Sequence, residues 1–223
     1  MLSVVIKDNH EPNVIKLTYE NLYRELKDIE ASELLVADSW LDSLGGVKNK
    51  FVCFVEADCL VSSGYFSSQI GLFNKNKFLR RLAVMASSTA VNDWGNRFYG
   101  YSIGDKYSDG VMPVRDKKAR VPYPVQIAYI PGAVIRTVTL QKMLDELDLL
   151  NGIEKDLVLF STQLSLGFWR HGLNYGKAVG SGGCLVHINP NATYVTTEDY
   201  VNDLGKFDPK AGDLVDMFHG ESI

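Results

Sequence analysis

The sequence predicts an α/β domain in which a mostly parallel central sheet is flanked by helices. Three observations carry that expectation. Short apolar runs at 3–6, 33–38 and 51–55 each lead into acidic residues, and apolar residues at helical spacing separate the first two runs. Strand, helix and strand with a repeated polar exit is the pattern of a βαβ unit, which places the strands side by side and parallel. With 223 residues, 46% of them hydrophobic, the chain is long enough to bury one substantial core.

Residues 3–6 form the first strand, and the loop at 8–12 leads into a helix over 13–28, where Ile15, Tyr19, Leu22, Tyr23 and Leu26 recur at helical spacing. The second strand runs over 33–38. A Gly45-Gly46 turn precedes the third, Phe51 to Val55, and a helix over 65–79 carries Phe66, Ile70, Phe73 and Phe78. Residues 82–103 are rich in strand and turn formers, and 104–124 is a long polar loop containing Arg115, Lys117, Lys118 and Arg120. A buried strand over 125–135, interrupted at Pro131-Gly132, is followed by helices over 140–150 and 154–171 and by a strand ending at His187. Residues 1–189 make up the domain; 190–223, more polar, form an extension beside it.

The formal net charge of −4 argues against a protein coated in positive charge, so bulk electrostatics imply neither nucleic acid nor an anionic membrane as partner. Cys53, Cys59 and Cys184 lack paired metal-finger spacing, and three cysteines cannot all pair internally. A reducing cytoplasm, or the host's cytoplasm for a viral protein, is the expected setting. The apolar start, Met1 to Ile6, is broken by Lys7 and Asp8, so it is expected to be a core strand and not a signal or membrane span.

The most informative stretch is Phe51-Val52-Cys53-Phe54-Val55-Glu56-Ala57-Asp58. Two carboxylates at the end of a buried strand are costly unless something positive meets them. In a strand, residues two apart share a side, so Glu56 and Asp58 can converge on one hard divalent cation, Mn²⁺ or Mg²⁺. In an open parallel sheet the ligand crevice lies beyond the strand C-termini, which predicts that Asp8, Asp38, Glu56 and Asp58 rim one pocket. Asp8 and Asn9 can equally cap the following helix, and Glu154 and Asp156 can equally be acids that stabilise a helix N-terminus.

Together, the strand exits Asp38-Ser39 and Glu56-Ala57-Asp58, the turn Gly64-Tyr65-Phe66, the strand Pro131-Gly132-Ala133-Val134-Ile135-Arg136, the helix end Phe168-Trp169-Arg170-His171-Gly172 and His187 after Leu185-Val186 resemble, in that order, the GT-A glycosyltransferases with a Rossmann-like fold, especially their family 2-like branch. The resemblance implies that Asp8 and Asp38 meet the nucleotide, Asp38 at its base. It implies that Glu56 faces the ribose or the metal, and that Asp58 and His187 hold the metal on the diphosphate of a nucleotide-sugar donor, with a UDP-sugar preferred. The first acid of the pair is Glu where the family commonly has Asp, which keeps the charge and lengthens the reach.

For the acceptor base, two alignments stand side by side. Aligned by the helix start, Glu154 and Asp156 are candidates, with Asp156 better placed; aligned from Gly172, the position falls on Ser161, Thr162 and Gln163 and no base is present, as suits a retaining transferase. The acceptor is open between a glycan, a small molecule and a hydroxylated DNA base met by the basic loop. Other readings are a sugar nucleotidyltransferase, for which no Gly-rich, basic loop follows the first strand, and a non-catalytic sugar-nucleotide or carbohydrate-binding module.

Overall fold

The structure is a computed structural model, and it describes residues 1–75, 84–86, 88–91, 97–98, 101–103, 111–113, 128–146, 153–155, 157–170, 175–177 and 184–187. The basic loop residues Arg115, Lys117, Lys118 and Arg120, the extension 190–223 and Asp156 lie outside the described residues.

The first unit folds as its sequence requires. Strand β1 (Leu2–Lys7) is buried along its whole length, helix α1 (Pro12–Leu26) follows, and β2 (Ser32–Ala37) returns parallel to β1. Pro12 opens α1 at a position whose N–H has no helical partner in any case, and the residue ahead of it is Glu11, whose side chain makes no cap hydrogen bond. Capping by Asp8 or Asn9 is therefore not realised. The buried face of α1 is Thr18, Leu22 and Leu26, while Tyr19 and Tyr23 stack on each other facing solvent. Both sets obey i, i+4 spacing, and periodicity alone does not rank two adjacent helix faces.

Past β2 come the one-turn helix α2 (Trp40–Ser43) and a 3₁₀ turn, Leu44–Gly46, which lead into β3 (Phe51–Glu56), parallel to β1 on its other side. A turn at Ala57-Asp58 enters β4 (Cys59–Val61), then helix α3 (Tyr65–Lys75). Strands β5 (Val84–Ala86), β6 (Ser88–Val91), β7 (Arg97–Phe98), β8 (Tyr101–Ile103) and β9 (Val111–Pro113) follow, ahead of β10 (Val134–Arg136), helix α4 (Thr137–Glu146), a 3₁₀ turn Ile153–Lys155, helix α5 (Leu157–Arg170), β11 (Tyr175–Lys177) and β12 (Cys184–His187).

The main sheet has the order β11-β5-β10-β3-β1-β2, and β10 runs against both its neighbours while the other five strands share one direction. A smaller sheet, β4-β12-β6-β7, stands beside it, and β8 pairs with β9. Of the expected strand over 125–135, residues 125–127 lie outside the described residues, Ala128 to Ile130 have no ladder pairing among the described residues, and a turn at Pro131-Gly132 precedes β10. Gly132 sits at φ 78°, a region glycine enters freely; its N–H donates to Phe54 O (2.7 Å) and its carbonyl accepts from Tyr65 Oη (2.8 Å).

Both faces of the main sheet are covered, which is why its strands read as continuous apolar runs. Leu2, Val4, Ile6, Cys53 and Val55 pack toward Leu22 and Leu26 of α1 and Phe66 and Phe73 of α3. The alternate residues, Val5, Val52 and Phe54, pack on the other face with Trp40, Ile135, Leu140, Phe160 and Phe168. Trp40 stacks on Phe54 at 5.4 Å and lies 5.9 Å from Phe160, so α2 and α5 meet over the middle of the sheet. Among the described residues, no helix is long and apolar enough to cross a membrane.

Candidate functional site

Parallel pairing in register brings the ends of three strands to one edge. Lys7 stands opposite both Ala37 and Glu56, so the residues just past it and past Ala37, Asp8 and Asp38, leave the sheet beside Glu56. The Asp8 N–H donates to Ala37 O at 2.8 Å and ties the first two exits together. Both aspartates are exposed.

Glu56 and Asp58 converge, although by a different route from strand alternation. Strand β3 stops at Glu56, and the turn through Ala57 carries Asp58 back toward it before β4 begins. One ligand atom from each of Glu56, Asp58 and Cys59 lies within 4.8 Å of the others. Asp58 is buried and Glu56 half-buried. Burial pushes the Cys59 thiol well above its ordinary value, and the neighbouring Glu56 and Asp58 carboxylates add to the shift. The Thr18 hydroxyl donates to Ala57 O, so the turn between the two acids is fixed from α1.

Residue His187 ends β12, which pairs antiparallel with β4 so that His187 lies opposite Cys59. Cα atoms of directly paired antiparallel residues are about 5 Å apart, which places the His187 backbone next to the residue that follows Asp58. The ladder thus joins a residue near the end of the described chain to the acidic turn.

Glu154 occupies the 3₁₀ turn ahead of α5 and is buried. Its carboxylate accepts the N–H groups of Trp40 (3.1 Å) and Leu41, the first two amides of α2. The remaining first-turn donors go to Ser39: Asp42 N–H to its Oγ (3.2 Å) and Ser43 N–H to its carbonyl (3.3 Å). Every orphan donor of α2 is thereby met. The expectation of an acid stabilising a helix N-terminus holds, but the helix is α2 and not the one Glu154 precedes.

Of the residues in the alternative alignment, Ser161 is committed elsewhere. Its Oγ accepts the Ile130 N–H (3.1 Å), and one turn on Ser165 Oγ accepts the Ala128 N–H (3.1 Å). Thr162 Oγ1 and Gln163 Oε1 are buried with no hydrogen-bond partner among the described residues.

Two site residues went unrecognised in the sequence. Lys7 Nζ donates to Glu154 O (2.8 Å), stands 3.9 Å from Glu154 Oε2 and lies 5.0 Å over the Trp40 ring. Burial draws its ammonium below the ordinary lysine value, with Glu154 and then Glu56 acting in the opposite sense. The signal was there, a cation closing a fully buried strand. Tyr129 Oη donates to Glu56 Oε2 at 3.4 Å from the segment before Pro131, and no spacing in the sequence points to it.

No protein-family model matches the sequence, and no curated protein matches it. Among solved structures, residues 1–349 of S. aureus TarS in complex with UDP-GlcNAc superimpose with a TM-score of 0.59 at 10% identity, over 97% of this chain and 71% of that one. A second structure of TarS 1–349 gives 0.51 at 9% identity, over 82% and 59%. The fold is Rossmann-like and of GT-A type, with a mostly parallel central sheet flanked by helices. At such identity the likeness concerns the fold, and the chemistry has to be argued from the site.

Proposed function

We propose that this chain transfers a sugar from a nucleotide-diphosphate donor, a UDP-sugar first among them, to an acceptor hydroxyl, with Mn²⁺ or Mg²⁺ held by Glu56 and Asp58. The observation that supports this most is the convergence of those two carboxylates at the edge where β1, β2 and β3 end. Strand C-termini are where open α/β sheets hold nucleotides, and the similar TarS structure contains UDP-GlcNAc.

The residues fit a hard cation. Two carboxylates within 4.8 Å offer oxygen, and a turn fixed by Thr18 holds them there. Cys59, third in the cluster, is a soft donor, and a hard cation takes the carboxylate oxygens in preference to it. His187 is the third ligand in this reading, brought by its register opposite Cys59. When bound, the ion supplies countercharge to the departing diphosphate.

Other roles fall to the surrounding chain. Asp38, exposed just beyond β2, accepts hydrogen bonds from the nucleotide base, and Asp8 stands beside it. Tyr129 orients Glu56 through its hydroxyl. Glu154 has both oxygens on amides, which leaves the base role to Asp156 in an inverting reaction. In a retaining reaction the departing phosphate takes the acceptor proton, and the anomeric configuration of the product decides between the two.

The test is a panel of nucleotide sugars incubated with Mn²⁺, reading nucleoside diphosphate. Slow release from one donor, faster with a suitable acceptor, is the expected result. Pyrophosphate in place of nucleoside diphosphate would mean a nucleotidyltransferase, and binding with no release from any donor across a broad acceptor panel would mean a binding module.

A further inference from the structure

Asp38 is held in place from a distance. The segment Asp38-Ser39 spans only two residues between two fixed points. Ahead of it, Ala37 ends β2 and its carbonyl accepts the Asp8 N–H at 2.8 Å. Behind it, Trp40 and Leu41 give their N–H groups to the Glu154 carboxylate, 114 and 113 residues away in sequence. Two residues pinned at both ends leave the backbone at Asp38 few conformations, and so few directions for its side chain to start from.

Glu154 is itself clamped. It is buried, Lys7 Nζ reaches its carbonyl at 2.8 Å and its carboxylate at 3.9 Å, and Lys7 closes the strand that pairs with both β2 and β3. The Lys7 ammonium lies over Trp40, whose ring is fully buried between Phe54 and Phe160. One buried ion pair thus joins the end of β1, the start of α2 and the turn ahead of α5. A truncated partner in such a pair leaves a buried charge uncompensated, so the unit holds or fails together.

We infer that Glu154, supported by Lys7, is a positioning residue for the donor site: it sets Asp38 by fixing the first turn of α2, and it does not exchange protons with the acceptor. This rests on the proposed donor role of Asp38. It makes two separate demands, one on the backbone at 38–41 and one on donor affinity.

The experiment uses Glu154→Gln, which keeps the shape and gives up one acceptor oxygen. Hydrogen exchange at the Trp40 and Leu41 amides is expected to quicken about tenfold, and the melting temperature to fall because Lys7 loses its buried counter-charge. Donor KM is expected to rise about tenfold with kcat within about twofold, the pattern of lost binding and not of a lost base. The decisive arm is the same substitution in an Asp38→Ala background. There KM is expected to change by less than about twofold, because Glu154 acts through Asp38.

Unchanged exchange at Trp40 and Leu41 overturns the inference. So does a fall in kcat of about a hundredfold or more in both backgrounds with KM unmoved, which would make Glu154 a base. Should Glu154→Gln not fold, Glu154→Asp keeps the charge, shortens the reach and is read in the same two ways. A protein that turns over no nucleotide sugar would defeat the donor reading alone, since the exchange measurement still decides whether Glu154 fixes the 38–41 backbone.

Discussion

At the residue scale, the site is organised by charges placed where apolar strands run out. Lys7 lies within electrostatic reach of Glu154 and of Glu56. Burial lowers its pKa, so between that lowered value and the ordinary lysine value the unfolded chain binds more protons than the native one. Stability from this group therefore rises with pH through that window. Thermal melts of wild type and Lys7→Met between pH 7 and 10 check the sign: the wild-type melting temperature should gain on the variant's as pH climbs, and a constant or shrinking difference would contradict it. The acids at strand ends were legible in the sequence because a carboxylate after five apolar residues is conspicuous. Lys7 was equally visible, yet its partner Glu154 comes 147 residues later, and no local pattern couples the two. Tyr129 left no trace at all, since its contact depends on how the chain turns at Gly132.

At the scale of elements, the βαβ start and the order of helices and strands followed from periodicity, but which helix face is buried did not. Tyr19 and Tyr23 fit the apolar stripe as well as Leu22 does, and only the position of the sheet selects Thr18, Leu22 and Leu26. The segment before Pro131 looked like a strand for the same reason, being apolar. In the structure its amides at Ala128 and Ile130 are met by the hydroxyls of Ser165 and Ser161 on α5, so side chains stand in for ladder partners. Helix α5 therefore holds the segment that carries Tyr129 against Glu56. Replacing Ser161 with Ala leaves the Ile130 N–H buried and unpaired, at a cost of about 1–3 kcal/mol. Denaturant melts should show that loss, and donor affinity should weaken with it; a variant of unchanged stability would mean the hydroxyl is dispensable to the segment.

For the whole molecule, the fold places the acidic edge with little freedom. Three parallel strands end together, a turn fixed from α1 folds Asp58 back toward Glu56, and a second sheet brings the end of β12 across from the residue that follows Asp58. These features come from elements far apart in sequence, which is why the pair of carboxylates could be anticipated from one strand end while its supports could not. The base proposed for an inverting reaction, Asp156, lies outside the described residues. The central claim is that Glu56 and Asp58 hold a divalent cation for a nucleotide-sugar donor, and the most direct measurement is Mn²⁺-dependent release of nucleoside diphosphate by wild type and Asp58→Ala, with melts run alongside. Wild-type activity that needs Mn²⁺ or Mg²⁺ and falls about a hundredfold or more in the variant, at a melting temperature shifted by no more than a few degrees, is the predicted result. Full activity in Asp58→Ala, or activity in wild type indifferent to chelator, would contradict it.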